Sequence, residues 1–165
     1  MSESLIAKIE GAVTGFIGAL KKDGGYNYDW NKPVIFDKVL PSTSKFPSAR
    51  IDLIDEKNID ELEGDSVVGP TGAFAGAYYN VLNYKITIGG GKDNGDAPSR
   101  DELFRALDDL KKVFGINYTL GNSGASIIMY RGFELVDGDD GLTIESSWLI
   151  RYYQSRTNPI DTAEV

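Results

Sequence analysis

The chain has 165 residues, of which 41% are hydrophobic and 25% are charged, as in an ordinary soluble globular domain. Seventeen Lys and Arg against 25 Asp and Glu give a net charge of −8. This charge argues against a protein that binds nucleic-acid phosphates or anionic lipid surfaces. The chain contains neither cysteine nor histidine. It therefore has no disulfides, no thiol nucleophile, and no catalytic or metal-binding motif that needs histidine.

The N-terminal segment has the apolar spacing of an amphipathic helix. Apolar residues recur every three or four positions from Leu5 to Leu20, which predicts a helix packed on a sheet. Ser2 or Ser4 can cap its start, and Gly24 with Gly25 can stop the chain after it. The same segment is interrupted by acidic residues and does not read as a signal peptide. No run of 18 apolar residues occurs, so no membrane span is predicted.

Strands and loops alternate in the middle of the chain. β-Prone runs predict strands at Val34–Val39 and at Ser48–Ile54. Alternating apolar residues predict a longer strand at Ala77–Ile88. Glycine-rich and acidic composition predicts flexible loops at residues 56–76 and 89–96.

The last third of the chain predicts one more helix and two more strands. A capping box at Ser99 starts the helix, and Gly115 is expected to end it. Strands follow at Gly124–Val136 and Leu142–Tyr153, and residues 155–165 read as an extended tail. We expect a single α+β domain covering residues 1–165, with a mostly antiparallel sheet packed against two α-helices.

Three short motifs come close to catalytic or ligand-binding patterns and fail on their mechanics. Gly91-Lys92 lacks the first glycine and the magnesium-binding hydroxyl of a phosphate loop. The DGDDG stretch beginning at Asp137 lacks the glutamate of a calcium loop. Ser123 has no histidine to activate it. A pair of carboxylates of glycosidase type needs no histidine and stays open as an alternative, although the sequence singles out no pair.

Four segments together resemble bacteriophage tail terminator, or tail completion, proteins. The first is GGYNYDW at Gly24–Trp30, directly after an amphipathic helix. The second is FPSARI at Phe46–Ile51. The others are the helix at Asp96–Lys112 and the closing WLIRYYQSRTNP at Trp148–Pro159. The resemblance covers most of the chain with short motifs.

The resemblance implies a virion structural protein without enzymatic activity or cofactors. Such a subunit forms a ring, usually a hexamer, on the last disc of the tail tube, stops tube growth and presents a joining surface to the head-side connector or stopper protein. It would assemble in the host cytoplasm, and DNA would pass the ring without specific binding because acidic walls repel phosphates. Alternatives are another neck component, such as a head–tail stopper or a minor tail protein, and a carbohydrate-binding or hydrolytic domain.

The sequence offers two sets of candidate contact residues. For the Tyr-Asn-Tyr-Asp-Trp motif the alternative is structural: the tyrosines would pack on the first helix, and the Trp would lie in the core. For the two arginines it is solvation on an acidic surface. The interface candidates are Tyr26, Asn27, Tyr28, Asp29, Trp30, Arg151 and Arg156. The candidate docking-loop residues are Gly69, Pro70, Phe74, Lys92 and Asp93.

Overall fold

Two α-helices, one short 3-10 helix and five strands make up the described part of this computed structural model. The structure describes residues 3–35, 45–58, 77–121, 123–139 and 141–155. The elements are α1 (Leu5–Gly18), the 3-10 helix (Lys22–Gly24), β1 (Val34–Ile35), β2 (Ser48–Asn58), β3 (Ala77–Gly89), α2 (Arg100–Ile116), β4 (Ala125–Gly138) and β5 (Gly141–Ser155).

The strands form one sheet in the order β1-β2-β3-β5-β4. β2, β3, β5 and β4 are antiparallel to their neighbours, and the two-residue β1 pairs with β2 in parallel at Val34 and Arg50. This architecture confirms the α+β fold with a mostly antiparallel sheet and two helices.

The core lies between the helices and one face of the sheet. Alternate residues of β3 from Leu82 to Ile88 and of β5 from Ile144 to Tyr152 are buried, as the period of two predicts. Trp148 packs edge-on against Phe114 of α2, with ring centroids 5.2 Å apart. The other face of the sheet therefore carries the residues between these positions.

Helix α1 starts as the sequence predicts and ends earlier. Ala7 N donates to Ser4 Oγ at 3.1 Å, which identifies Ser4 as the capping residue. The helix ends at Gly18, where Ala19 N donates to Gly15 O, so Gly24 and Gly25, which end the separate 3-10 helix, do not terminate it. Its core face also buries one acid, Glu10.

Helix α2 has the predicted capping box. Glu102 N donates to Ser99 Oγ at 3.2 Å, and Ser99 N donates to Glu102 Oε1 at 3.1 Å. The helix passes through Gly115 and ends at Ile116, so the expected stop at Gly115 is wrong by one residue. Asn117 then caps the end, because its Nδ2 donates to Val113 O at 3.0 Å.

Several predicted boundaries need correction. β2 continues through Glu56 to Asn58, where pairing with Asn80 extends the strand past its apolar residues, so the predicted loop is wrong at residues 56–58. β5 reaches Ser155, where the tail was expected to begin. Residues 36–39 of the first predicted strand, residues 59–76 of the loop and residues 156–165 of the tail lie outside the described residues.

The hairpin of β4 and β5 is long and irregular along β4. Register shifts occur between Ala125 and Ile127 and between Tyr130 and Gly132, which are β-bulges in the outermost strand. Gly138 pairs with Gly141 at the closed end of the hairpin.

Of the helices that the structure describes, none has the length and apolar content for a membrane crossing.

Candidate functional site

The loop between α1 and β1 is folded back on itself by hydrogen bonds. Asp29 Oδ1 accepts from Lys22 N at 2.8 Å, which fixes the 3-10 turn. Trp30 N donates to Leu20 O at 3.0 Å, and Lys21 Nζ donates to Trp30 O at 3.3 Å. The segment with the tail-terminator-like motif is therefore a defined loop.

A buried aspartate of α2 holds this loop in place. Asp109 is 2% exposed, and its carboxylate accepts four N–H hydrogen bonds. Oδ1 accepts from the backbone N and from Nδ2 of Asn27, at 2.8 and 3.1 Å. Oδ2 accepts from Tyr28 N at 3.2 Å and from Trp30 Nε1 at 3.0 Å. Charge-assisted bonds of this kind satisfy a carboxylate removed from water.

The same contacts decide the position of the motif's aromatic residues. Trp30 is 2% exposed and lies in the core, which is the alternative that the sequence left open for this interface candidate. Tyr28 and Tyr26 both contact α2, Tyr28 through a hydrogen bond and Tyr26 through a lysine side chain. The structural alternative in the sequence analysis placed them on α1 instead. Tyr28 Oη donates to Glu102 O at 3.4 Å, and Lys112 Nζ lies 4.9 Å from the Tyr26 ring centre.

The glycine-rich loop after β3 approaches the segment that leads into β2. A Cβ on Gly90 would lie 2.8 Å from Phe46 N, and its φ of +121° disfavours other residues. Phe46 N donates to Gly91 O at 2.8 Å. Within the loop, Lys92 N donates to Asp96 O at 2.9 Å. These bonds tie down a segment that the sequence predicts to be flexible.

The two loops and the start of β2 enclose a cleft of about 450 Å³. We call it the lysine cleft. It brings Tyr28 and Asp29 from the interface candidates together with Lys92 and Asp93 from the docking-loop candidates. The third contributor is the segment before β2, where Phe46 and Pro47 begin the FPSARI motif, although neither residue was among the candidate contact residues. The lining residues are Lys22, Tyr28, Asp29, Lys45, Phe46, Pro47, Lys92, Asp93 and Asn94.

The lining of the lysine cleft contains more lysines than aspartates, in a chain that is acidic as a whole. Three lysines and two aspartates line it. Lys45 Nζ lies 3.7 Å from Asp93 Oδ1, and Lys92 Nζ lies 3.1 Å from Glu102 Oε1 on α2. Lys22 has no carboxylate oxygen within 4.0 Å in the described part of the chain. The cleft therefore presents an exposed ammonium group without an ion-pair partner.

Two ionisable groups at the cleft have pKa values that are shifted from their ordinary values. The hydrogen bond from Ser99 N, assisted by the one from Lys92, lowers the pKa of Glu102. Burial, followed by the negative charge of Glu102, raises the pKa of Tyr28. Glu102 thus stays anionic and Tyr28 stays a neutral hydrogen-bond donor, and the charge of the cleft comes from its lysines and aspartates.

The remaining predicted residues are elsewhere. Arg151 lies in β5 opposite Val81 and Ile127, on the face away from the helices and far along the strand from the cleft. It is half-buried, and its Nε has no hydrogen-bond partner among the residues the structure describes. Gly69, Pro70, Phe74 and Arg156 lie outside the described residues.

A second polar cluster, which the sequence did not reveal, links α1 and β2 to two buried tyrosines of the sheet. In this cluster Glu10 is buried and Glu56 is exposed. Tyr84 Oη donates to Glu10 Oε1 at 3.1 Å, and Tyr152 Oη donates to Glu56 Oε2. Burial raises the pKa of Glu10, and it also raises the pKa values of both tyrosines. Each acid is hydrogen-bonded by its own tyrosine, which gives this cluster a structural role inside the sheet.

Neither a metal-binding group nor a known relative identifies the site. Residues 3–35, 45–58, 77–121, 123–139 and 141–155 contain no group of three or more carboxylate, imidazole or thiol ligands that could hold a metal ion. No family model and no curated protein matches the chain. The functional conclusion therefore depends on the geometry of the lysine cleft and on the sequence resemblance.

Proposed function

We propose that this chain is a non-enzymatic virion subunit, a tail terminator that forms a ring on the tail tube of a bacteriophage. The ring stops tube growth and offers the head-side joining surface. Such a protein acts through closed contacts between copies and through two end surfaces, so its functional residues are docking residues.

The lysine cleft is the observation that supports this proposal. Its wall includes Tyr28 and Asp29, which belong to the motif that resembles tail terminators, and it also includes the loop carrying Lys92 and Asp93. A docking surface works best when it is already formed, because ordering a loop on binding costs free energy. The four hydrogen bonds to Asp109 provide such order for the motif loop.

The charge of the chain agrees with this role. At −8 per subunit, a ring surrounds its channel with an acidic protein that repels DNA phosphates and lets the genome pass. The cleft differs from that background because its lining has three lysines and two aspartates, and the unpaired ammonium group of Lys22 suits an acidic protein partner.

The test is binding to tail tubes assembled without a terminator. We expect the purified chain to bind one end of each tube, seen by electron microscopy, and to restore joining to heads. Lys92→Glu reverses a charge in the cleft and is expected to weaken binding about tenfold. Lys8→Glu makes the same charge change on the exposed side of α1 and serves as the matched control.

Two outcomes would contradict the proposal. Tubes that keep growing in the presence of the chain would exclude terminator activity. Binding to the head connector, without binding to tubes, would instead indicate a stopper in the neck.

A further inference from the structure

The lysine cleft and the closed end of the β4–β5 hairpin lie at the same end of the sheet and at opposite edges. Ser48 at the start of β2 pairs with Gly89, and the adjacent Ile88 pairs with Ile144 of β5. Ile144 in turn pairs with Leu135 of β4. Three strand spacings, roughly 14 Å, therefore separate β2, beside the cleft, from β4.

The closed end of the hairpin is acidic and available. Asp137 and Asp139 are exposed, and neither has a cationic group within 4.0 Å among the described side chains. The hairpin also contacts the segment before α2, because a Cβ added to Gly141 would lie 2.6 Å from the Ala97 Cβ.

We propose that the acidic hairpin end of one copy docks in the lysine cleft of the next copy. This inference rests on the proposed function, and it identifies the contact that builds the ring. The hairpin carboxylates would supply Lys22 with the ion-pair partner that it lacks among the described residues of its own chain.

The geometry requires the contact to be between molecules. β4 and β5 pair with each other up to Gly138 and Gly141, and β5 pairs with β3 from Ile144 onward, which keeps the hairpin three strand spacings away from β2 and the cleft. Two complementary surfaces at opposite edges of one subunit make a head-to-tail contact, which closes into a ring when the rotation between copies divides a full turn. Opposite charges guide such an association and fix its register.

Disulfide trapping tests the contact directly, because the chain has no cysteine of its own. We expect the double variant Lys22→Cys, Asp139→Cys to give a ladder of covalent oligomers under mild oxidation. Each single variant can give no more than a dimer. The matched control is Lys8→Cys with Asp139→Cys, which keeps two exposed cysteines but moves one of them onto α1, and we expect it to stop at small amounts of dimer.

Charge reversal provides a second, independent measurement by native mass spectrometry over a concentration series. Lys22→Glu and Asp139→Lys are each expected to weaken self-association about tenfold. The double variant carries both reversals, so its hairpin and cleft are again complementary, and we expect self-association to recover. Folding of each variant is checked by circular dichroism, and recovery in the double variant shows that the single changes act through the contact.

The outcomes separate this inference from the proposed function. Rings that form equally well in both single charge variants would overturn the contact and leave ring formation standing. A ladder of equal length in the Lys8 control would also overturn the contact. The contact would likewise be overturned if the wild-type chain stayed monomeric and the Lys22→Cys, Asp139→Cys variant gave no ladder. Tube-end binding is measured separately and judges the proposed function by itself.

Discussion

The indole Nε1 of Trp30 donates a hydrogen bond of 3.0 Å to Oδ2 of Asp109, across 79 positions of sequence. Both groups are buried, and the same carboxylate also binds the Asn27 side chain and two backbone N–H groups. Removing this carboxylate would therefore take an acceptor from four N–H donors, of which the Asn27 side chain alone keeps a second acceptor, Arg105 O, at 3.1 Å.

We expect Asp109→Ala to destabilise the protein by about 3 kcal/mol, because buried donors lose the carboxylate that satisfies them. Urea unfolding followed by Trp fluorescence measures this change. Asp108→Ala is the control, since Asp108 is exposed and its ion pair with Lys111 is long, at 4.0 Å. The control is expected to change stability by no more than about 0.5 kcal/mol. Equal losses in the two variants would show that Asp109 does not organise the loop.

Glycines at three kinds of position should respond differently to alanine. Gly90→Ala is expected to cost roughly 2–3 kcal/mol, because it combines a positive φ with a Cβ 2.8 Å from Phe46 N. Gly95 has φ +84° and open space around it, so Gly95→Ala should cost about 1 kcal/mol. Gly15 lies in α1, and a Cβ added there would meet no atom within 4 Å. Gly15→Ala should therefore stabilise the protein by about 0.5–1 kcal/mol.

Thermal unfolding of the three glycine variants gives the comparison. The order of stability should be Gly15→Ala, wild type, Gly95→Ala and then Gly90→Ala. If Gly90→Ala were as stable as Gly95→Ala, the close approach of the loop to Phe46 would not be a constraint in solution.

Glu10 should make the protein less stable as the pH rises. Burial raises the pKa of Glu10 above its ordinary value of 4.5, so the folded state holds this proton more tightly than the unfolded state. Its favourable contribution is complete below pH 4.5 and is lost as the pH rises through the higher folded value. Glu10→Gln keeps an acceptor for Tyr84. We expect it to raise the free energy of unfolding by on the order of 1 kcal/mol at pH 7, and by less at pH 4. A gain that did not vary with pH would contradict this assignment.

Glu102 should show the opposite dependence. Its hydrogen bonds lower the pKa below 4.5, so its contribution is present above that pH and is lost as the pH falls through the folded value. We expect Glu102→Gln to cost about 0.5 kcal/mol at pH 7 in low salt, through the weakened capping box and the lost charge at the helix start. The difference in unfolding free energy between Glu102→Gln and the wild type should shrink as the pH is lowered from 7 to 3. A constant difference would show that the carboxylate charge is not involved.

Local sequence signals account for most of the elements. The capping box at Ser99 and the alternation in β3 and β5 each depend on neighbouring residues, and the structure confirms them. The polar end of β2 was missed because Glu56, Lys57 and Asn58 have no apolar alternation, and pairing with β3 alone makes them a strand. Contacts over long sequence distances decide such boundaries.

The candidate site was predictable in part. The motif at Tyr28 and the loop at Lys92 were identified separately, but their meeting in one cleft depends on how β1, β2 and β3 pair. Asp109 was missed because its partners are about 80 positions away. One signal was present: Asp109 follows Ala106 by three residues and precedes Val113 by four, which places an acid beside the apolar stripe of α2.

The two bulges of β4 limit how far the edge of the sheet can pair with the backbone of another chain. Outermost strands offer unpaired backbone groups on which another chain can grow an extended sheet. In β4 the register breaks after Ala125 and after Tyr130, so regular backbone is limited to Ile127–Tyr130 and Gly132–Gly138. A foreign strand would find no long uninterrupted ladder to copy. In the proposed ring, where neighbouring subunits would be at high effective concentration, these breaks would limit backbone pairing between copies and leave association to the side chains.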